Sequence, residues 1–333
     1  MSASGASGID RRALFTRYGK KPSFGPTEIA IRWTLRSLAY LTVFVTISIV
    51  FVLVIDAVNF FAEVSFGHFL AFSISDLGSS DPEIMKWEPF GGQTLADKSL
   101  NVWPLMSGTL MVAFGAILVA VPLGLGTAVY LTQYASPKVA NIISPIVEIL
   151  GGIPTVVYGY FALTAVTPFF RNYIFNPDDV GIFNALSASI IVGIAILPMI
   201  SSLSAEALRL VPAAIRNAGY ALGMRKFHVV TKIMIPAAFS GIVASVLLAF
   251  ARAVGETMAV TLAAGATPNI DLNYLQGIQT MTAFIVQISL GDTPAGTIEY
   301  YTIYALGLAL FLMTFMFNIL ASQIVKRFRE AYQ

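Results

Sequence analysis

The chain lacks cysteine altogether and has only two histidines, His68 and His228, among its 333 residues. Without cysteine it has no disulfide, no thiolate metal site and no catalytic thiol. Two histidines so far apart are too few for a histidine metal cluster. Charged residues make up only 11% of the chain, and a net charge of +2 gives no reason to expect a nucleic-acid partner. We therefore expect no metal site and no binding to nucleic acid.

Apolar residues dominate instead. They make up 56% of the chain, far more than in soluble globular proteins, and the mean hydropathy is positive. A helix that crosses a membrane needs about 20 apolar residues. We predict an all-α integral membrane protein, with kinks at the Gly-Gly-Ile-Pro stretch 151–154 and at Pro198. Six runs are long enough to span the membrane, at 37–61, 105–132, 140–168, 182–204, 238–265 and 300–325.

Lysine and arginine residues alternate between the loops. Seven precede the first run, one lies between the second and third, five lie between the fourth and fifth, and three follow the sixth. The loops on the other side hold only three. By the positive-inside rule both termini are cytoplasmic. The predicted segments outside the spans are a basic tail 1–36, an outer loop 62–103, a cytoplasmic loop 205–237 and a closing tail 326–333.

The outer loop 62–103 is acidic and contains Trp87 and Trp103, which we expect at the level of the lipid headgroups. Two interpretations are open. The loop is either an ordinary solvated surface or a docking surface for an external partner. The second outer loop, 266–299, allows the same two interpretations.

The cytoplasmic loop 205–237 is rich in Ala, Leu, Arg and Lys, which predicts two short amphipathic helices joined at Gly223. Such helices could lie against anionic membrane lipid. Their spacing also resembles the signature of binding-protein-dependent ABC importer permeases, E-A-A, three residues, G, nine residues, I-x-L-P. Ala218, Gly223, Ile233 and Pro236 fall on this pattern.

The signature differs at Asn217, Gly219 and Ile235, where the family usually has Glu, Ala and Leu. The resemblance implies that the loop couples the permease to a separate ATPase subunit. No G-x-x-x-x-G-K-[ST] motif occurs in the chain, so we expect ATP and magnesium to bind the partner and no cofactor here. The implied coupling residues are Ala218, Gly219, Gly223, Met224, Arg225, Lys226, Phe227, His228, Ile233 and Pro236.

Arg252 and Glu256 interrupt the fifth apolar run four residues apart. An ionised group near the centre of a bilayer costs roughly 2.5–3.5 kcal/mol on insertion scales, so such groups usually face a partner or a watery path. On a continuous helix the two share one face. They could form an ion pair that fixes packing, or they could line a path in which Arg252 binds a tetrahedral oxyanion. Gly255 between them would allow close approach.

The sequence around this pair, Arg-Ala-Val-Gly-Glu-Thr-Met-Ala-Val, resembles that of phosphate importer permeases of the PstC type. Gly152-Ile-Pro-Thr-Val-Val-Tyr158-Gly159 is similar to another segment of that family. A physical argument also favours phosphate at the pair, because hydrogen phosphate carries a proton that Glu256 could accept and sulfate carries none. The candidate residues of the substrate path are Arg252, Glu256, Gly255, Thr257, Glu148 and Tyr158.

This resemblance implies a type I ABC importer permease fold and a multi-pass subunit of the bacterial inner membrane that catalyses no bond chemistry itself. The implied partners are a related PstA-type permease, a dimer of PstB-type ATPase subunits and an extracytoplasmic PstS-type phosphate-binding protein. Two alternatives remain open: a permease for sulfate, molybdate or phosphonate, and a secondary transporter that uses Arg252 and Glu256 as a charge relay. Glu148 and Tyr158 could equally serve helix packing.

Overall fold

A computed structural model describes residues 25–79, 81–92 and 94–330. Most of the predicted basic tail, residues 1–24, and the last residues, 331–333, lie outside this part. The first and last helices extend into the predicted tails. Helix α1 already begins at Pro26, and the last helix continues to Glu330. Basic residues at a helix end can extend beyond the membrane without ending the helix, so the helix bounds are wider than the predicted spans.

The described residues are mostly helical. The chain divides into two compact units, Met1–Val52 and Leu53–Gln333. The described part of the first unit is the first two-thirds of α1, whose apolar side chains are exposed, as expected of a helix that faces lipid. The helices are α1 (Pro26–Glu63), α2 (Phe66–Phe69), α3 (Trp103–Val129), α4 (Pro137–Gly152), α5 (Thr155–Phe161), α6 (Thr167–Tyr173), α7 (Ala185–Arg209), α8 (Ala213–Ala221), α9 (Lys226–Val229), α10 (Ile235–Ala237), α11 (Phe239–Val254), α12 (Met258–Ala264), α13 (Met281–Leu290) and α14 (Ile298–Glu330).

Among the described residues, four helical segments are long and apolar enough to cross a membrane, and the number is six if each of two bent pairs is one span. One pair, Pro137–Gly152 with Thr155–Tyr173, bends by 88° at the predicted Gly-Gly-Ile-Pro break. Pro154 cannot donate a helical hydrogen bond and forces Ile153 into extended backbone, with ψ of 130°. The other pair, Lys226–Ala237 with Phe239–Val254, bends by 70°. By contrast, α7 runs unbroken through Pro198.

Helices α3 and α7 form the centre of the second unit and pack along each other. Small residues allow the approach. A Cβ atom added to Gly124 of α3 would lie 2.9 Å from Ile200, and one added to Gly193 of α7 would lie 2.9 Å from the carbonyl oxygen of Ala116. Glycine at such crossings lets backbones pack closely, which is how membrane helices gain van der Waals contact.

The outer loop 62–103 has structure of its own. Strands β1 (Trp87–Glu88) and β2 (Ser99–Leu100) pair antiparallel, and a 3₁₀ turn spans Leu95–Asp97. The side chain of Trp87 packs inside the chain and does not face lipid headgroups. Its side chain is 3% exposed, and its ring contacts Phe284 edge-on with centroids 5.1 Å apart. Phe284 belongs to α13, a helix within the second predicted loop, so the two loops pack together. We call this region, residues 64–102 and 266–297, the ribbon end.

Two polar contacts fix the ribbon end. Lys98 forms a largely buried ion pair with Glu299 of α14. The carboxylate of Asp76 accepts hydrogen bonds from the main-chain N–H groups of Ile84 (2.7 Å) and Met85 (2.9 Å). These two bonds hold the pKa of Asp76 below its usual range.

The opposite end carries the basic loop, which we define as residues 210–238. The predicted bounds 205–237 are wrong at the start, because α7 continues to Arg209. Helices α8 and α9 lie on either side of Gly223, whose φ of +74° favours glycine. A second hydrophobic cluster joins this loop to the ends of α3, α7 and α11. Its buried members are Ala128, Ala205, Leu208, Val229, Val230, Met234, Ala238 and Ile242.

Candidate functional site

The fifth span is broken where the sequence predicts one helix over 238–265. Helix α11 ends at Val254, and α12 begins at Met258. Gly255 closes α11, with its N–H directed at the carbonyl of Ala251 (3.3 Å), and the N–H of Glu256 bonds to the carbonyl of Ala253 (3.2 Å). Glycine is a poor helix former and a favoured residue at helix ends. Arg252 and Glu256 therefore do not share a face of one continuous helix, and that prediction is wrong.

The break lies beside the other broken span. Helix α12 packs on α5, and both begin directly after a break. A Cβ atom added to Gly159 of α5 would lie 3.0 Å from the carbonyl oxygen of Ala259 and 2.8 Å from the Cβ of Leu262. The glycine in the Tyr158-Gly159 segment is thus the contact that brings the two broken spans together.

Arg252 lies in the last turn of α11 with its side chain exposed. Among the described residues it has no hydrogen-bond or ion-pair partner, and the three ion pairs found there do not include it. The ion pair with Glu256 that the sequence allowed is absent. A permanently charged guanidinium in an apolar span requires water, a partner chain or an anion to offset its desolvation. Its five donors remain available for such a group.

The side chain of Glu256 is half-buried and forms a hydrogen bond with the neighbouring main chain. Its carboxylate accepts a hydrogen bond from the N–H of Ala259 (3.4 Å) at the start of α12, and its own main-chain carbonyl accepts one from the Thr282 hydroxyl (2.8 Å). The half-buried Thr257 donates its hydroxyl to the carbonyl of Gly255 (3.2 Å). The break is therefore held in one geometry by local bonds.

Gly255 itself is exposed. A Cβ atom added to it would meet no atom of the described residues closer than 3.7 Å. Packing within the chain does not require glycine at this position. The open surface at Gly255 lies next to the unpaired Arg252, so a substrate or a neighbouring chain could approach the backbone here.

The other two candidate path residues belong to the first broken span. Tyr158 is 7% exposed, and its hydroxyl donates to the carbonyl of Leu150 (2.7 Å), which bridges the break at Ile153. Its only hydroxyl proton is used in this bond. Glu148 lies on α4 with an exposed side chain and lines a polar cavity against α7. The structure thus brings Arg252, Gly255, Glu256 and Thr257 together and leaves Glu148 on the other side of the 153–154 break.

The residues of the basic loop divide into a buried and an exposed set. Gly219 is buried, and a Cβ atom there would lie 3.2 Å from the side chain of Val229. Lys226 places its ammonium over the ring of Tyr134 at 4.8 Å, a cation–π contact that fixes α9 against the end of α3. The residues left exposed for a partner are Ala218, Gly223, Arg225, Lys226, Phe227 and His228, whereas Met224, Ile233 and Pro236 are partly buried.

Sequence reasoning did not single out Leu222. Its side chain is 82% exposed at the tip of the turn before Gly223. A leucine between two helices gives no sequence signal of exposure. In a basic surface, a protruding leucine is typical of a contact that a partner buries.

Among the described residues, no group of three or more histidine or acidic side chains could hold a metal ion. The residues available for chemistry at the break are a guanidinium, a carboxylate and a hydroxyl. Such a set can bind and orient a polar solute, which suits passage through a membrane.

The fold matches that of solved transporters. The crystal structure of a bacterial ABC transporter involved in the import of the acidic polysaccharide alginate aligns with a TM-score of 0.60, at 12% identity, over 90% of this chain and 98% of that chain. At this identity the likeness shows the fold alone, and it confirms the predicted ABC importer permease fold.

Sequence relatives define the family. Residues 120–330 match the family described as binding-protein-dependent transport system inner membrane component. The chain belongs to this family and is a transport component. It is 33% identical to the probable ABC transporter permease protein YqgH of Bacillus subtilis, over 73% of this chain and 76% of that protein. It is 32% identical to the phosphate transport system permease protein PstC of Mesorhizobium japonicum, over 66% of this chain and 72% of that protein.

Proposed function

We propose that the chain is the membrane-spanning permease subunit of an ATP-driven importer of inorganic phosphate in the bacterial inner membrane. The observation that carries this proposal is the exposed, unpaired Arg252 at the broken span. The likeness to a phosphate transport system permease supports phosphate as the substrate. A guanidinium binds phosphate oxygens through paired, charge-assisted hydrogen bonds.

The substrate path runs past the break. Arg252 contacts the anion, and Glu256 accepts the proton of hydrogen phosphate, which excludes sulfate by repulsion. The open backbone at Gly255 and the Thr257 hydroxyl complete the surface on this chain. Because Arg252 is exposed on the single chain, a second, PstA-type permease covers it and closes the path.

The basic loop couples this path to ATP. It lies on the cytoplasmic side with both termini and docks on a PstB-type ATPase dimer, which binds ATP and magnesium. The ribbon end then faces a PstS-type phosphate-binding protein. The cluster that joins the loop to α3, α7 and α11 supports this role, since it makes the loop and the spans one packed body. ATP binding draws the loops together and opens the path outward, and hydrolysis returns it inward.

Uptake of labelled phosphate tests the substrate. The genes for the complete importer are expressed in cells that lack other phosphate uptake, and unlabelled phosphate, sulfate, molybdate and phosphonate are each added as competitors. We expect phosphate alone to compete at comparable concentration. Equal or stronger competition by another oxyanion would reassign the substrate.

Co-purification tests whether the chain is an ABC importer permease or a secondary transporter. A tagged copy of the chain, extracted in mild detergent, is expected to bring down an ATP-binding subunit and a second permease. Recovery of the chain without an ATPase, together with uptake that persists after ATP depletion, would favour a secondary transporter.

A further inference from the structure

An open cavity of about 110 Å³, in which Glu148, Ser202 and Arg209 are exposed, lies between α4 and α7, close to the basic loop. A single water needs roughly 10–15 Å³ of accessible cavity, so this one has room for a small polyatomic ion. Its lining is unusually polar for a membrane-spanning bundle. The polar side chains that line it are Ser144, Glu148, Ser201, Ser202 and Arg209.

The serine hydroxyls of this cavity have no partner among the described residues. Hydroxyls on the neighbouring helix behave differently: Thr127 and Thr132 of α3 and its π-helical end donate to the carbonyls four residues earlier, at 2.7 and 2.8 Å. Ser201 is only 2% exposed. Its hydroxyl lines the cavity and forms no hydrogen bond to another described residue, so it is available to a water or a ligand there.

The two charged side chains of the cavity, Glu148 and Arg209, do not form an ion pair with each other. Arg209 is the last residue of α7, and Glu148 lies on α4. None of the three ion pairs among the described residues joins them, although both line the same space. A ligand that satisfies the whole set must offer several acceptor oxygens to Arg209 and the serines and one proton to Glu148.

We infer that this cavity is a second binding station for a protonated oxyanion such as hydrogen phosphate, separate from Arg252 and nearer the basic loop. This inference rests on the proposed function, because it assigns the same substrate to a second point of the path. Arg209 and Ser201 bind the anion. Glu148 accepts its proton and thereby excludes sulfate.

The two stations contain the same kinds of side chain, but their carboxylates differ in hydrogen bonding. At the break, the carboxylate of Glu256 is already bonded to the start of α12. In the cavity, Glu148 is free of hydrogen bonds to other described residues. Both carboxylate oxygens of Glu148 are therefore available to the proton of the anion, whereas Glu256 has one oxygen already bonded.

Equilibrium binding of radiolabelled inorganic phosphate to the detergent-purified complex of the two permeases and the ATPase dimer, without the phosphate-binding protein, tests the second station. The assay uses Arg252→Gln as the background, so that the first station is disabled. We expect binding to remain in this background and its affinity to fall roughly tenfold or more with Arg209→Gln, the size of effect of losing a charge-assisted hydrogen bond. Ser201→Ala should weaken binding several-fold, and Glu148→Gln should allow sulfate to compete.

The matched control is Ser189→Ala, which removes a buried, unpartnered serine of α7 that does not line the cavity. It should leave binding unchanged. If Arg209→Gln does not assemble, the nearly isosteric Ser201→Ala carries the test. Absence of binding in the Arg252→Gln background, or binding that Arg209→Gln and Ser201→Ala leave unchanged, would overturn the second station. If the wild-type importer takes up phosphate in that case, the proposed function stands; if it takes up none, the proposed function fails as well.

Discussion

The hydroxyl of Thr282 donates a 2.8 Å hydrogen bond to the main-chain carbonyl oxygen of Glu256. This bond ties the broken fifth span to the first turn of α13. The next link is the main-chain N–H of Met281, which bonds to the hydroxyl of Thr109 on α3 at 3.0 Å. The backbone beside Arg252 is therefore connected to the central helix of the fold through the ribbon end.

Replacing Thr282 by valine should loosen the break. The change keeps the shape but leaves the carbonyl of Glu256 without its partner, at a cost of about 1–3 kcal/mol. We expect a lower midpoint of thermal unfolding in detergent and slower phosphate uptake. Thr314→Val is the control, because its hydroxyl bonds only to carbonyls of its own helix. Equal effects of both substitutions would show that the Thr282 bond has no special role.

Gly159→Ala tests the contact between the two broken spans. The added Cβ atom would lie 3.0 Å from the carbonyl oxygen of Ala259 and 2.8 Å from Leu262, so α5 and α12 must separate. Overpacking of this kind lowers the free energy of unfolding by about 1–3 kcal/mol. Gly126→Ala, where an added Cβ atom meets nothing within 4 Å, should be neutral or slightly stabilising. Thermal unfolding of the two variants side by side measures the difference, and equal midpoints would argue against the close contact.

Asp76 makes the order of the ribbon end depend on pH. Its pKa is lowered in the folded chain by the N–H groups of Met85 and Ile84, so its stabilising effect is complete above the ordinary aspartate pKa. The effect is lost as pH falls through the lowered value. We expect hydrogen exchange at Ile84 and Met85 to be slow at neutral pH and to accelerate relative to the intrinsic rate in strong acid. Asp76→Asn should show fast exchange at neutral pH, and protection equal to wild type would contradict this account.

Leu222 tests the basic loop as a docking surface. Because its side chain is 82% exposed, Leu222→Ser should leave the stability of the chain unchanged while it weakens co-purification of the ATPase and lowers uptake several-fold. Leu290→Ser is a matched control, with an 81% exposed leucine at the ribbon end. It should leave recovery of the ATPase unchanged. Full recovery with Leu222→Ser would place the contact elsewhere.

Much of the fold follows from hydropathy. The six spans and the break at 151–154 are predictable, because an apolar run and an X-Pro dipeptide act locally. The break at Gly255 is not, since a lone glycine is common inside membrane helices. Here it ends α11 because the carbonyl of Glu256 bonds to Thr282, a residue 26 positions later.

The candidate site is also only partly predictable from the sequence, because part of it depends on contacts between residues far apart in the chain. Arg252 stands out in the sequence as a charge in an apolar span. The cavity of Ser201 and Arg209 does not, because it depends on how α4 turns after the first break to face α7. The burial of Trp87 depends on Phe284, which lies far along the chain in a segment that hydropathy assigns to a loop.

Uptake of labelled phosphate by Arg252→Gln and Glu256→Gln, each in the complete importer and at matched expression, tests the central claim most directly. If Arg252 contacts the anion, Arg252→Gln should lower uptake by about tenfold or more while the complex still assembles and hydrolyses ATP. Glu256→Gln should also lower uptake, since Glu256 accepts the proton of hydrogen phosphate. Rates near wild type in both variants would contradict the account and leave the two residues as parts of the scaffold.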